Sequence, residues 1–230
     1  GHFQLGEIIS KEEARVQLGL DTIAEEQYLW SPSALAVYTA PIIAKLSESA
    51  DRHLEARISD VQEMEDKVVL PEVDRSFDYV IWCTALAPSS YKGNSLAFTR
   101  GQVILSKAEA PLRSIYSGGC YIIPNKDEIV IGSTYEHFNP DAKYEHSFCQ
   151  EINTGLVDRL RSKAKEILPE LSDDSRIRSS FRHNTSDNIP LYSSISGRQF
   201  LNIGHGSFGF TTAPYTAYKI AQSIAGMAKL

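Results

Sequence analysis

Apolar residues recur along this chain at two spacings, and the spacings divide it into helices and strands. Phe148, Ile152, Leu156, Leu160, Ala164 and Ile167 follow one another every three or four residues, which predicts a long amphipathic helix stopped by Pro169. Residues 11–20 read as a short helix. Ser31-Pro32 supplies a cap followed by proline at a first helical position. Leu35, Tyr38, Ile42 and Leu46 then continue at helical spacing, predicting a second helix with one buried face and a kink at Pro41.

Elsewhere the pattern is that of strands. Tyr79 to Cys83 is an uninterrupted apolar run, as expected of a strand buried on both faces of a parallel sheet, and it enters the small-residue turn Thr84-Ala85-Leu86-Ala87-Pro88. Gln27 to Trp30 and residues 100–106 read as strands, and the stretch from His53 to Leu70 as a small meander. Tyr121-Ile122-Ile123 and Ile129-Val130-Ile131 flank Pro124 to Glu128 as a hairpin. Phe200 to Ile203 is a last strand, followed by a glycine-rich turn and a helix from about Thr212 to the end. Strand–loop–helix units beside hairpins predict a mixed α/β (α+β) fold, an α/β layer woven with an antiparallel sheet. There is no internal repeat.

Composition narrows the class. The chain has 230 residues, 42% apolar and 23% charged, enough for one large domain or two interleaved ones. No apolar run approaches the roughly 20 residues that cross a bilayer, so no membrane partner is expected. The Gly1-His2 start has the look of a cloning remnant, which places the native N-terminus upstream. A net charge of −6 without a basic run argues against sequence-blind nucleic-acid binding, but leaves room for a small tRNA footprint. Cys83, Cys120 and Cys149 form no metal or CxxC pattern, so reduced thiols and a cytoplasmic location are expected.

Three segments carry candidate chemistry. The first is Gly204-His205-Gly206-Ser207-Phe208-Gly209-Phe210-Thr211, between a strand and the last helix. Its backbone N–H groups and the helix dipole suit a partly negative ligand atom, either a phosphate or the N1–C2=O edge of a flavin. Glycines of a tight turn serve packing equally well, and no βαβ unit follows the helix as in the dinucleotide fingerprint. The second is Phe181 to Pro190, where Arg182 either clamps a carboxylate in a bidentate fork or pairs with Asp187 to brace a turn. The third is Tyr121, whose hydroxyl either faces the same carboxylate or belongs to a core ring. Six scattered histidines make no HxH or HxxxH pattern, so no metal is expected; His205, alone in a ligand-like loop, either serves that ligand or caps the turn.

In this order the segments resemble the D-amino-acid-oxidase superfamily of FAD-dependent enzymes. Tyr28 to Leu46 and Asp78 to Pro88 are similar to its cofactor-side elements, and Arg100-Gly101-Gln102 to its "RGQ" strand. Tyr121-Ile-Ile-Pro with Ile131-Gly-Ser-Thr is similar to its substrate hairpin. Arg182 to Pro190 matches R-x-x-T-x-D-x-x-P, and Gly204 to Pro214 resembles its last flavin-contacting turn. Two branches look nearest. G-S-x-G-x-T-T-A-P suggests the FAD-dependent half of the tRNA wobble-uridine enzyme MnmC, though Phe208 stands where that branch often has arginine. The Tyr121 hairpin suggests the glycine oxidase of thiazole biosynthesis.

The resemblance implies FAD as cofactor and a small amine or amino acid as substrate, on free amino acids or on tRNA, with hydride transfer from carbon to flavin. Arg182 would bind the substrate carboxylate with Tyr121 assisting. Gly204, His205, Gly206, Ser207, Phe208, Gly209, Phe210 and Thr211 would hold the flavin ring, with Thr84 and Ala85 nearby. It implies a FAD-binding Rossmann-like domain at 29–90 and 181–230, partial because the N-terminal GxGxxG segment is missing. A substrate domain would take 1–28 and 91–180. Ala85 replaces a glycine common in the family, which together with the missing segment leaves a rival reading, a non-catalytic binding module that keeps the fold.

Overall fold

The computed structural model describes residues 6–20, 23, 25–33, 35–58, 61–84, 96–107, 112–125, 128–138 and 151–227. Ala85, the 86–88 turn, Phe148 and Cys149 lie outside them. The chain divides into two compact units: residues 1–50, 101–135 and 145–180 form one, and 51–100, 136–144 and 181–230 the other. No helix among the described residues is long and apolar enough to cross a membrane.

The first unit begins with strand β1 (Glu7–Ser10), helix α1 (Lys11–Leu18) and strand β2 (Gln27–Trp30). β1 and β2 pair antiparallel, with Ile8 opposite Leu29. Ser10 starts α1 with a reciprocal capping box: its hydroxyl accepts from Glu13 N–H at 3.3 Å, and Glu13 accepts from Ser10 N–H at 2.9 Å. Gly19, at φ 72°, ends the helix in the left-handed conformation that glycine adopts without strain.

Helix α2 spans Thr39–Ser47, not the longer run expected from Ser31-Pro32. Proline explains the difference. A helix begun at Pro32 would put Pro41 in its interior, where the lost hydrogen bond and ring clash cost about 3 kcal/mol. Starting at Thr39 leaves Pro41 in the first turn, where N–H groups have no intrahelical partner, so no kink arises. The expected buried face is also absent: Leu35, Tyr38, Ile42 and Leu46 are all exposed.

The second unit opens with the short meander β3 (Gln62–Glu63), β4 (Val68–Leu70) and β5 (Arg75–Phe77), followed by β6 (Val80–Trp82). Residues 53–58 carry no strand. The Glu63 carboxylate ties the meander to residues 196–199: it accepts from Ser196 Oγ, and from Gln199 Nε2 at 3.0 Å. Burial opposes ionisation there, yet these bonds hold Glu63 below its usual pKa.

Next come β7 (Ala97–Lys107), β8 (Tyr116–Gly118), β9 (Cys120–Asn125), β10 (Glu128–Gly132) and β11 (Glu136–Phe138). The expected hairpin is β9–β10, antiparallel with Ile131 opposite Ile122. After α3 (Thr154–Ile167), strand β12 (Ser175–Asn184) pairs with β7, and the boundary between the units falls inside both of these strands. Asn153 caps α3 by accepting from Leu156 N–H at 3.2 Å. The α3 face Val157, Leu160, Ala164 and Ile167 is buried in one cluster with Ile104, Ile122, Ile129 and Ile131. That cluster is the core of the first unit.

In the second unit, β13 (Gln199–Leu201) lies parallel to β6, with Leu201 opposite Trp82, and helix α4 (Gly209–Met227) follows. The parallel setting of β6 is as expected, but its burial is not. Trp82 is covered, whereas Ile81 is 44% exposed and faces an apolar groove beside Ala217 and Ala221 of α4. Full burial of a parallel strand needs cover on both faces, and nothing among the described residues supplies it on this side.

Two substitutions separate the covered elements from the open ones. Ile131→Ala, at 0% exposure, is expected to destabilise the protein by about 2–5 kcal/mol in urea unfolding. Leu46→Ala, at 67% exposure, is expected to stay within about 0.5 kcal/mol. A large loss at Leu46 would mean that α2 has a covered face after all.

Candidate functional site

The candidate site is built by one length of chain returning on itself within the second unit. From Asn184 to Ser194 the chain runs antiparallel to Phe200–His205, with bridges Ser194↔Phe200, Leu191↔Ile203 and Asn184↔His205. Leu191 and Ile203 exchange both backbone bonds, at 2.9 and 3.0 Å. This return puts the end of β12, which carries Arg182, beside the glycine turn. Two of the three sequence-predicted segments are therefore neighbours.

Between the last two bridges the chain makes a self-braced excursion. Thr185 Oγ1 donates to Ile189 O at 2.8 Å, Asn188 N–H to Thr185 O at 3.2 Å, and Ile189 N–H to Asp187 Oδ1 at 3.0 Å. The bonds from Ile189 N–H and the Thr185 side chain hold the exposed Asp187 carboxyl below its usual pKa. Asn188 takes a left-handed φ of 59°, which asparagine tolerates. The turn is thus braced by Thr185, Asp187 and Asn188. Arg182 stands before it on β12, half-buried, on the same strand face as Asn184 by alternation. On the opposite face His183 meets Phe98 edge-on, with ring centroids 5.0 Å apart.

Gly204 and Gly206 have φ values of 76° and 54°. A Cβ on Gly204 would lie 3.0 Å from Thr185 Cγ2, and one on Gly206 would lie 2.6 Å from Asn184 Nδ2. Both glycines therefore serve the excursion's close approach as well as the backbone turn. His205 spends its ring on bracing: Nε2 lies 3.0 Å from Asn202 Oδ1 and Nδ1 lies 2.8 Å from Thr212 Oγ1. Its backbone is what it has left to offer a ligand. Phe208 N–H is spent on His205 O at 3.0 Å, in a single 3-10 turn over Gly206–Phe208.

α4 then begins at Gly209, so the N–H groups of Gly209, Phe210 and Thr211 belong to the turn that a helix leaves without intrahelical partners. Residues 204–209 carry the literal spacing G-x-G-x-x-G between β13 and α4. Ser207 lies in the 3-10 turn and Phe208 is 61% exposed.

Thr84 and Gly204 leave the same edge of the sheet. β6 and β13 are parallel, and Asn202 N–H donates to Trp82 O at 2.9 Å, so both strands end side by side. Such an edge, at the carboxyl ends of parallel strands, is where α/β folds hold ligands. Tyr121 belongs to the first unit. It sits on β9 opposite Gly132 of β10, and a Cβ on Gly132 would overlap its ring. Its ring therefore lies across the sheet surface over that glycine.

A flavin is the group that the resemblance implies here, and the turn fits one end of it. Donors of the α4 first turn stand at the positive end of a helix dipole, suited to a ring carbonyl that gains negative charge. The cradle is one that side chains at 204 and 206 would fill. Asn184 Oδ1, buried and without a partner among the described residues, leaves an acceptor over at the same place. Among the described residues this is the only glycine turn joining a parallel strand to a helix.

A family model described as "FAD dependent oxidoreductase" matches residues 2–223. The chain belongs to this family. Its fold is shared by glycine oxidase from Geobacillus kaustophilus, with TM-score 0.67, 20% identity, and 94% of this chain matched to 61% of that one. Glycine oxidase from Bacillus cereus ATCC 14579 gives TM-score 0.72 and 16% identity, with 96% of this chain matched to 66% of that one. L-proline dehydrogenase from P. horikoshii gives TM-score 0.71 and 15% identity over 95% and 64%. The chain thus spans less than two thirds of each solved relative. No curated protein sequence matches it. FAD is the cofactor named in the family's description.

Two glycines test the turn against ordinary helix packing. Gly206→Ala is expected to cost about 1–3 kcal/mol in urea unfolding, through positive φ and the clash with Asn184. Gly226→Ala, in α4 with nothing within 4 Å of the added methyl, is expected to gain up to about 1 kcal/mol. Equal effects would remove the argument for a constrained turn.

Burial pushes the pKa of both His183 and His205 below the ordinary value of 6.5, so the unfolded chain binds more protons just below that pH. Their contribution to stability is present above 6.5 and lost as pH falls through the folded-state values. Melting temperature should therefore drop between about pH 7 and about pH 5.5, and His183→Gln/His205→Gln should flatten that drop. An unchanged slope in the double variant would contradict the assignment.

Proposed function

We propose that the protein oxidises the C–N bond of a small free α-amino acid, glycine-like in size, with FAD as hydride acceptor. The observation that carries this reading is the antiparallel return that places the strand of Arg182 beside the glycine turn at the mouth of α4. A guanidinium there suits a substrate carboxylate, because its planar fork matches two carboxylate oxygens. The N–H groups of Gly209, Phe210 and Thr211, with the backbone of 204–208, suit the pyrimidine edge of a flavin. Bound there, the flavin would supply the electron sink that amino-acid side chains lack.

The chain's own contribution is orientation and electrostatics. Arg182 would fix the substrate by its carboxylate, leaving the amine and its carbon to face the ring. Thr84 would border the ring at the shared strand edge. The substrate would lose two hydrogens across its C–N bond, a hydride to the electron sink that bound FAD supplies and a proton to water, and water would then hydrolyse the imine. The names of the solved relatives, two glycine oxidases and an L-proline dehydrogenase, support an amino acid as substrate.

A free amino acid is preferred to a tRNA-borne one for a local reason. An arginine at position 208 would offer a phosphate a fork of donors; Phe208 is exposed and offers none. The net charge of −6 adds nothing to attract a polyanion.

The complete encoded protein, loaded with FAD, is expected to lose its flavin colour when glycine or another small amino acid is added without oxygen. Arg182→Leu should lower kcat/KM by roughly 10²-fold or more, the scale of removing one partner from a buried charge pair, with little change in melting temperature. Oxidation of carboxymethylaminomethyl-modified tRNA in place of free amino acids would overturn the substrate assignment. Bleaching that survives in the Arg182→Leu variant would overturn the role given to Arg182.

A further inference from the structure

The bonding around His205 has a property that bracing alone does not require. Nε2 faces Asn202 Oδ1 at 3.0 Å, and Nδ1 faces Thr212 Oγ1 at 2.8 Å. Thr212 Oγ1 itself lies 2.9 Å from Phe208 O, a backbone acceptor that can be met only by the hydroxyl proton. With that proton committed, both ring nitrogens face oxygen acceptors. A neutral imidazole carries one N–H and satisfies one of them; the doubly protonated ring donates to both, and every bond of the chain from Asn202 through His205 and Thr212 to Phe208 is then made.

We propose that His205 is a proton-accepting positioning residue, taking up a proton when the group held by the 204–211 turn gains negative charge. This rests on the reading of that turn as the seat of a flavin ring. The charge would develop against the backbone of the turn that His205 holds between the end of β13 and the first turn of α4. A cation within the turn is favoured by that charge and opposed by burial, so the two events are coupled. With nothing negative at the turn, burial wins and holds the ring below its ordinary pKa.

His183 on β12 also titrates in this range, but its ring lies on the opposite strand face against Phe98, which leaves His205 as the titrating group of the turn. β13 brings Asn202 to it, α4 brings Thr212, and β12 brings Asn184, all neutral. The nearest charged residues along those elements are Arg182, two residues before Asn184, Asp187 in the excursion, and Lys219, the first charge on α4. Asp187 is held below its usual pKa by its hydrogen bonds, and partial desolvation pushes up the thiol of Cys83, the residue after β6. Burial is what displaces the His205 pKa, with no charged neighbour contributing.

The test is the pH dependence of the bound flavin's two-electron midpoint potential in the complete protein, wild type against His205→Asn. Asparagine can still bond at the turn but takes up no proton. Above the depressed pKa of His205, one extra proton per two electrons is expected in the wild type. That is a tenfold change in equilibrium constant per pH unit, or about 30 mV, absent from the variant. NMR of the wild-type His205 ring guards against a variant that folds badly: two ring N–H protons are expected in the reduced protein and one in the oxidised protein. Equal slopes, or a ring that stays singly protonated on reduction, would overturn the proposal and leave the flavin reading standing. A protein that takes up no FAD would overturn both.

Discussion

The candidate site depends on the backbone register that runs antiparallel from Asn184↔His205 through Leu191↔Ile203 to Ser194↔Phe200. It is a constraint of main-chain hydrogen bonds, so it holds whatever the side chains do. What the side chains add is the length of the excursion between the first two bridges, where Thr185, Asp187 and Asn188 satisfy one another and their own backbone. The close fit of Thr185 on Gly204 and Asn184 on Gly206 makes the turn and the excursion one object. A change in either would be felt in the other, because interiors this tightly packed transmit small displacements.

This arrangement explains a division of labour within the glycine turn. Side chains brace it, and under the proposed function the backbone is what meets the ligand. His205 and Thr212 are spent internally, and the glycines carry no side chain to obstruct approach. A preorganised set of N–H donors loses nothing to reorganisation when charge appears beside it, which is how enzymes stabilise developing charge. The same design leaves few side chains in which a sequence could advertise the function. Arg182 is the exception, because recognition of a carboxylate needs a cationic fork.

Local features were legible where a local rule governs them. The β9–β10 hairpin, the amphipathic α3 and the strands β6 and β13 follow from apolar spacing and turn residues and are present, although α3 begins at Thr154 and leaves the exposed Ile152 outside it. Position 41 misled because Ser31-Pro32 is a sound start signal taken alone; it is overruled ten residues later by a proline that must sit in a first turn. The exposure of α2 and of Ile81 was not legible either, since periodicity reports which face is apolar and says nothing about what covers it. R-x-x-T-x-D-x-x-P was singled out by resemblance alone, and the structural reasons for its threonine and aspartate lie in contacts inside the excursion and with Gly204. Asn184, Asn202 and Thr212 carried no signal, because each matters through a partner brought near only by the fold.

The central claim is that Arg182 and the glycine turn hold the two ends of one reacting pair, an acid-bearing substrate and a flavin ring. Titrating the FAD-loaded protein with a simple carboxylate that cannot be oxidised, such as acetate, tests this most directly through the flavin absorption spectrum. A saturable spectral change in the wild type that vanishes in Arg182→Leu is the predicted result. A flavin spectrum that ignores the carboxylate, or responds equally without the guanidinium, would contradict the account.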